Sequence, residues 1–283
     1  MKTTVLAFVF AGCVVPAFAQ PAAAPPPVLQ VIRETIKEGK GAAHRRAEQA
    51  YAAAFRKNKY PYHYIGLTTE AGTNEAWFLS AYPSFAAMED NDKLSSKDPL
   101  KTDLEVVEAR DGEFRVSSRT MTAVFRPDMS YQPANGVALA KTRYLMIGTY
   151  RVRLGHEEDF MAGGKMILDA NKKAGLDTPV LTYQVIAGVP EGLYLLMFPM
   201  ASLKELDDQP AREKAMVSAM GEENFRRLMK GTGDVFQTME TTIFAVSPEM
   251  SYVSKETEDA APGFWRPKSS AAAPKAKEKA TDQ

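Results

Sequence analysis

Apolar and polar positions change their period along this chain, and the changes mark out elements. Residues 28–36, VLQVIRETI, are rich in β-branched residues and predict a strand. Gly39 and Gly41 bracket a turn. Residues 41–59 are Ala-rich and free of Pro, which predicts a helix with Ala47, Tyr51, Ala54 and Phe55 on one face. Strands follow at 62–67 and 75–82, separated by the turn AGTN. Pro83 and Ser84 open a helix through Phe85 and Met88, a helical region covers about 99–117, and TMTAVF at 120–125 closes the series as a strand.

The same order then recurs. Strand 144–154 precedes a helix at 157–175, strands at 180–188 and 192–199, helices at about 201–207 and 211–238, and a strand at 241–246. RPDMSY at 126–131 matches SPEMSY at 247–252, EAWFLSAYP at 75–83 matches EGLYLLMFP at 191–199, and IKEGK at 36–40 matches VRLGH at 152–156. Three matches in one order predict an internal repeat. The β-α-β-β-α-β order predicts a ferredoxin-like unit, antiparallel with helices on one face. Both parities of YLMIGTY and GLYLLMF carry large apolar groups. The second sheet face therefore needs a cover, and the sheet of the other copy supplies it. The fold class is α+β, with tandem ferredoxin-like repeats forming an intramolecular dimeric-type α+β barrel. Its parts are a signal peptide at 1–19, a Pro/Ala-rich segment at 20–27, repeats at 28–132 and 143–253, a linker at 133–142, and an Ala/Pro/Lys-rich disordered tail at 254–283, in which the Phe264-Trp265 pair is the exception, expected to pack back onto the barrel or touch a partner.

The N-terminus reads as an export signal. Lys2 precedes an apolar run from Val5 to Val15, and Ala17-Phe18-Ala19 offers a peptidase site before Gln20. Periplasmic or secreted localisation follows. Phe10-Ala11-Gly12-Cys13 offers an alternative lipoprotein start at Cys13, the only cysteine of the chain. Cleavage after Ala19 removes it, which excludes disulfides, thiol nucleophiles and Cys-ligated metals. Acidic and basic residues balance at 35 each, so no global field gathers nucleic acid. The mature part has no run long enough to span a membrane.

Chemistry-bearing residues are sparse. Of the three histidines, His63 falls on a predicted strand and is the candidate general base or haem ligand, against a plain core role. His44 and Glu48 form an i,i+4 pair that reads as solvent-facing, and His156 reads as a turn residue. No closely spaced His pair exists, so no metal site is expected. Arg33, Tyr51, Tyr64, Trp77 and Tyr150 are the candidate ligand-binding residues of a mostly apolar cavity. Arg33 and Trp77 lie on the segments expected to flank His63.

The strand, the Gly39-Lys40 turn, the Ala-rich helix and the Trp77-Phe78-Leu79 strand resemble the dimeric α+β barrel superfamily, with its antibiotic-biosynthesis-monooxygenase-like and NIPSNAP-like domains. That resemblance implies a barrel fold. It also implies a range of activities, from cofactor-independent monooxygenases to haem-degrading and chlorite dismutase-like haem proteins. His63, Asn74 and Trp77 share residue types with haem-degrading members, but their order and elements do not match, so no role is carried over. Three readings stand: a binder of a small hydrophobic or aromatic molecule in a barrel cavity, with no cofactor; a cofactor-free or haem-using monooxygenase-type oxidoreductase; and a structural or interaction domain. A monomer is expected, because the covering sheet is in cis.

The export reading is checked by intact mass of the native secreted form. It should begin at Gln20 or within about two residues of it, and a diacylated start at Cys13 would contradict this.

Overall fold

The computed structural model describes residues 24–133 and 138–266. The export signal, Cys13 and the end of the tail lie outside them. Eight strands form one closed, antiparallel barrel. They are β1 (Val28–Ile36), β2 (Tyr64–Ala71), β3 (Glu75–Tyr82), β4 (Arg115–Phe125), β5 (Tyr144–Val152), β6 (Leu181–Ala187), β7 (Leu193–Met200) and β8 (Phe236–Tyr252). The order around the barrel is β1-β3-β2-β8-β5-β7-β6-β4. The first four strands therefore sit together as β4-β1-β3-β2 and the last four as β8-β5-β7-β6. The junctions β2·β8 and β4·β6 close the ring with ordinary antiparallel ladders.

Helices cover the outside: α1 (Gly41–Lys57), α2 (Phe85–Ser95) and α3 (Leu100–Asp111) after the first strands, then α4 (Glu157–Lys173), α5 (Gln209–Met220) and α6 (Glu222–Val235). None of the described helices is long and apolar enough to cross a membrane. The Ala-rich sequence of α1 lets it lie close on the sheet, with Ala47, Ala52 and Ala54 buried. His44 and Glu48 are buried on the same face, at 2% and 5% exposure, so the expected solvent-facing pair is instead internal. Polar partners on β1 and α3 make that burial tolerable.

Strand pleat sorts the side chains. Leu29, Val31, Leu67, Trp77, Leu79, Met121, Ile147, Leu195 and Phe244 point into the barrel and fill it. An eight-stranded barrel is just wide enough for side chains to do this. The apolar cover expected for the second sheet face is this shared interior.

Several boundaries differ from those expected. The helical region at 99–117 stops at Asp111, because Arg115 already pairs with Ile36 in the β1·β4 ladder. The helix expected at 211–238 is two helices, broken at Gly221, whose φ of +89° is left-handed backbone suited to glycine. β8 extends well beyond 241–246, because β5 and β2 hydrogen-bond to it in turn along its length. His63 lies just before β2, not within a strand.

The tail expected to lack structure from 254 instead forms two short helices, α7 (Lys255–Ala260) and α8 (Pro262–Trp265). Trp265 is buried at 3% exposure against the barrel interior, and its Nε1 donates to the Ala140 carbonyl at 3.1 Å. The Arg143 guanidinium sits 3.8 Å from the Phe264 ring centroid. These contacts close the barrel end at which β5 begins. The two aromatic residues supply enough apolar area to fix a segment whose other residues are polar.

A candidate cavity between sheet and helices

With the barrel interior filled, the cavity that matters lies outside it. Between the outer face of β1, β3 and β4 and helices α1, α2 and α3 is a space of about 330 Å³. Its size suits a small molecule. One side is aromatic: Phe55, Tyr60, Tyr62, Tyr64, Phe78 and Tyr82 line it. Phe55 touches Tyr60, Tyr64 and Tyr252 with ring centroids 5.0, 5.7 and 5.8 Å away, which fixes the wall. The Tyr64 hydroxyl is buried here with no hydrogen-bond partner among the described residues. Burial pushes its pKa up, so it stays a neutral donor. Burial likewise pushes Tyr60 up to about 12.

The opposite side is ionic. Glu34 projects from β1, His44 and Glu48 from α1, Glu108 and Asp111 from α3, and Arg115 from the start of β4. His44 Nε2 lies 2.8 Å from Glu34 Oε2, 3.7 Å from Asp111 Oδ1 and 3.8 Å from Glu48 Oε1. Arg115 binds the far oxygens: it donates to Glu34 Oε1 and Glu108 Oε1, and its Nε lies 3.0 Å from Asp111 Oδ2. Tyr51 donates to the other oxygen of Glu108. Burial, followed by the Glu34 and Asp111 carboxylates, holds Glu48 well above the usual carboxylate range. Burial raises Asp111 in the same way, opposed by His44 and Arg115. Burial and its two acidic hydrogen-bond partners act in opposite directions on Arg115, and the partners win, so its pKa is raised.

The expected site residues divide among three places. His63, Tyr51 and Tyr64 line this cavity. Arg33 and Trp77 do not: they face the barrel interior, directly opposite each other across β1·β3. There Glu75 accepts from Arg33 Nη2 at 2.8 Å and from Trp77 Nε1 at 2.8 Å, and the guanidinium lies 5.2 Å from the indole centroid. Arg33 and Glu75 line a polar barrel mouth of about 410 Å³, and Trp77 is core beside it. The pleat sends Arg33 inward and its neighbour Glu34 outward, which is why they cannot serve His63. Tyr150 is on the outer face of the other half, edge-on to Phe236 at 5.6 Å. Glu34, Asp111 and Arg115 carried no expectation, and Glu48 only that of a solvent-facing partner of His44. The available signal was the acidic Glu34 between Ile32 and Ile36 on a strand, together with the His44–Glu48 pair beside Ala47 on the helix face.

Register exposes what is special about the first half. Ile36 opposes Arg115 in β1·β4 as Val152 opposes Phe236 in β5·β8, each beside a register shift. Two residues before these pairs stand Glu34 on β1 and Tyr150 on β5, and the fourth residues of the 17-residue helices α1 and α4 are His44 and Phe160. The corresponding space in the second half is occupied by rings. Phe160 lies 4.6 Å from Tyr194 and 5.6 Å from Phe236, with Val152 and Met129 packed beside them.

No protein-family model matches the chain, and no curated protein matches it in sequence. Solved structures match in fold. A Fusobacterium nucleatum protein provisionally described as a monooxygenase is 11% identical, with 78% of this chain and 93% of that one covered and a TM-score of 0.51. An anthrone oxidase-like protein is 12% identical, with 78% and 92% covered and a TM-score of 0.51. A mutant chlorite dismutase from Candidatus Nitrospira defluvii is 10% identical, with 83% and 95% covered and a TM-score of 0.48. The first two share with this chain the α+β architecture of a closed eight-stranded barrel. At these identities the likeness concerns fold alone.

The residues of the cavity do not fit a haem. The space of about 330 Å³ is too small to enclose a tetrapyrrole, and His44 on its ionic side is crowded by Glu34, Glu48 and Asp111, which leaves no open face for a porphyrin. His63 stands at the edge, its ring stacked on Tyr252 at 4.9 Å. Burial lowers its pKa below the ordinary 6.5, partly offset by Glu258. The neutral ring is therefore the folded form. Above pH 6.5 both folded and unfolded chains hold it neutral; as the pH falls through 6.5 the unfolded chain takes up the proton first, and stability falls. An NMR titration of His63 should give a midpoint below 6.5, and His63→Phe should lessen the loss of stability on acidification. A midpoint at or above 6.5 would contradict the assignment.

Proposed function

We propose that this is an exported, monomeric protein that binds a small aromatic molecule in the cavity of its first half. We also infer that the chain is two copies of one ferredoxin-like unit, of which only the first has an open site. The NIPSNAP-like likeness read from the sequence belongs with this inference. The cavity itself is the observation that carries the binding reading. It combines a wall of six aromatic side chains with a buried Tyr64 hydroxyl that has no partner, set opposite the ionic side. An aromatic ligand with a polar group would stack on the wall and satisfy that hydroxyl. Monomeric behaviour follows from the β2·β8 and β4·β6 ladders, both made within one chain.

A second reading, an oxidoreductase of the monooxygenase type without haem, is favoured by Glu48. Glu48 lines the cavity, and once ionised a carboxylate whose pKa burial raises is a stronger base toward a phenol or a carbon acid than an ordinary one. The fold neighbours described as a monooxygenase and as anthrone oxidase-like are in keeping with this reading, which rests on Glu48 and not on them.

Fluorescence titration with 1-naphthol tests the binding reading. Saturable binding at about one equivalent is expected, weakened at least ~10-fold by Ser80→Trp, which fills the cavity from β3, and unchanged by Tyr150→Phe in the other half. Binding that ignores Ser80→Trp would place the ligand elsewhere.

A further inference from the structure

We propose that Glu34, His44, Glu48 and Asp111 form a binding site for one first-row divalent cation, beside the aromatic cavity and independent of what that cavity binds. All four residues are buried, and one ligand atom from each lies within 4.8 Å of the others. They come from three elements, β1, α1 and α3, so the tertiary fold assembles them. The donor set is one imidazole nitrogen and three carboxylate oxygens, which suits Mn²⁺, Fe²⁺ or Zn²⁺ better than a thiophilic metal. Atoms held about 2.1 Å from one ion stand roughly 3.0–3.4 Å apart, so the spacings around His44 Nε2 close onto an ion with shifts of about 1 Å.

Asp111 points to a ligand independently of that clustering. It is fully buried, yet among the described residues neither carboxylate oxygen has a hydrogen-bond partner; Arg115 Nε approaches Oδ2 at 3.0 Å without hydrogen-bond geometry. A buried carboxylate left in this state is costly. The orientation of each carboxylate is also informative. Arg115 holds Oε1 of Glu34 and faces Oδ2 of Asp111, which turns Glu34 Oε2 and Asp111 Oδ1 toward His44. This is the arrangement in which an outer cation fixes metal ligands in place.

Charge gives the valence. Three buried carboxylates face a single guanidinium, and Glu108, with its side chain 60% exposed, is neutralised by water as well as by Arg115. Metal binding displaces the protons that burial favours on Glu48 and Asp111; with the three carboxylates ionised and His44 neutral, as ligands must be, the group lacks two positive charges, and a divalent ion supplies both. The second half shows that the fold does not need all of these charges, since Tyr150, Phe160 and Phe236 stand in ring contact where Glu34, His44 and Arg115 stand in the first. Apolar packing of that kind is commonly at least as stabilising as buried ions.

The full chain, stripped with EDTA, should be titrated with MnCl₂ while electron paramagnetic resonance follows free Mn²⁺. About one equivalent should leave the free pool, and the melting temperature should rise with added Mn²⁺. In the parent protein, Mn²⁺ should broaden the imidazole resonances of His44 before those of His156. His44→Phe, which copies Phe160, and Asp111→Asn should each weaken binding at least ~10-fold. An unchanged free Mn²⁺ signal would overturn the proposal and leave protons as the balancing charge. So would preferential broadening of His156, or full binding by folded His44→Phe. If a variant fails to fold, the broadening pattern of the parent still decides.

Discussion

Closing eight strands into a ring removes every free sheet edge, and it also decides where a ligand can go. A ring of that size has an interior only as wide as the side chains that fill it. Val31, Leu67, Ile147, Leu195 and Phe244, all fully buried, occupy that interior, and Trp265 seals one end. Apart from the polar mouth around Arg33 and Glu75, the room described above lies between the outer sheet face and the helices, where each half can fill or leave open its own space.

The two halves use that freedom differently. In the second half, Tyr150, Phe160, Tyr194 and Phe236 interlock, and the space becomes core. In the first, smaller or charged side chains at the matching positions leave an opening with an aromatic wall and an ionic side. The difference is chemical, because α1 and α4 are both 17 residues long and the β1·β4 and β5·β8 ladders shift register at the same place. Buried carboxylates are expensive and rings are not, so a place that keeps the carboxylates while its counterpart has rings is a place where something else is accommodated.

Much of the fold was legible in the sequence because strand pleat and helix period are local signals. The strands VLQVIRETI and EAWFLSAY and the helix beginning at Gly41 all lie where their patterns place them. The site was less legible because its parts are distant in sequence. Arg33 and Glu34 are adjacent, yet the pleat gives one to the barrel mouth and the other to the cavity, and a one-residue choice of parity separates them. His44 and Glu48 were visible as a pair, but their burial depends on Asp111 and Arg115, about seventy residues away in the chain (positions 111 and 115 against 44 and 48). Sequence spacing excludes a metal site made of neighbouring histidines; it says nothing of ligands gathered from β1, α1 and α3.

The central claim is that the ionic cluster serves a ligand and not the fold. Exchanging it for the residues of the second half tests this most directly: Glu34→Tyr, His44→Phe, Asp111→Thr and Arg115→Phe, with Glu48→Ala to keep the helix. The measurement is the free energy of unfolding in urea. The account predicts a folded protein within about 1 kcal/mol of the parent or more stable than it. A loss of more than about 3 kcal/mol would contradict it and make the cluster part of what holds the barrel together.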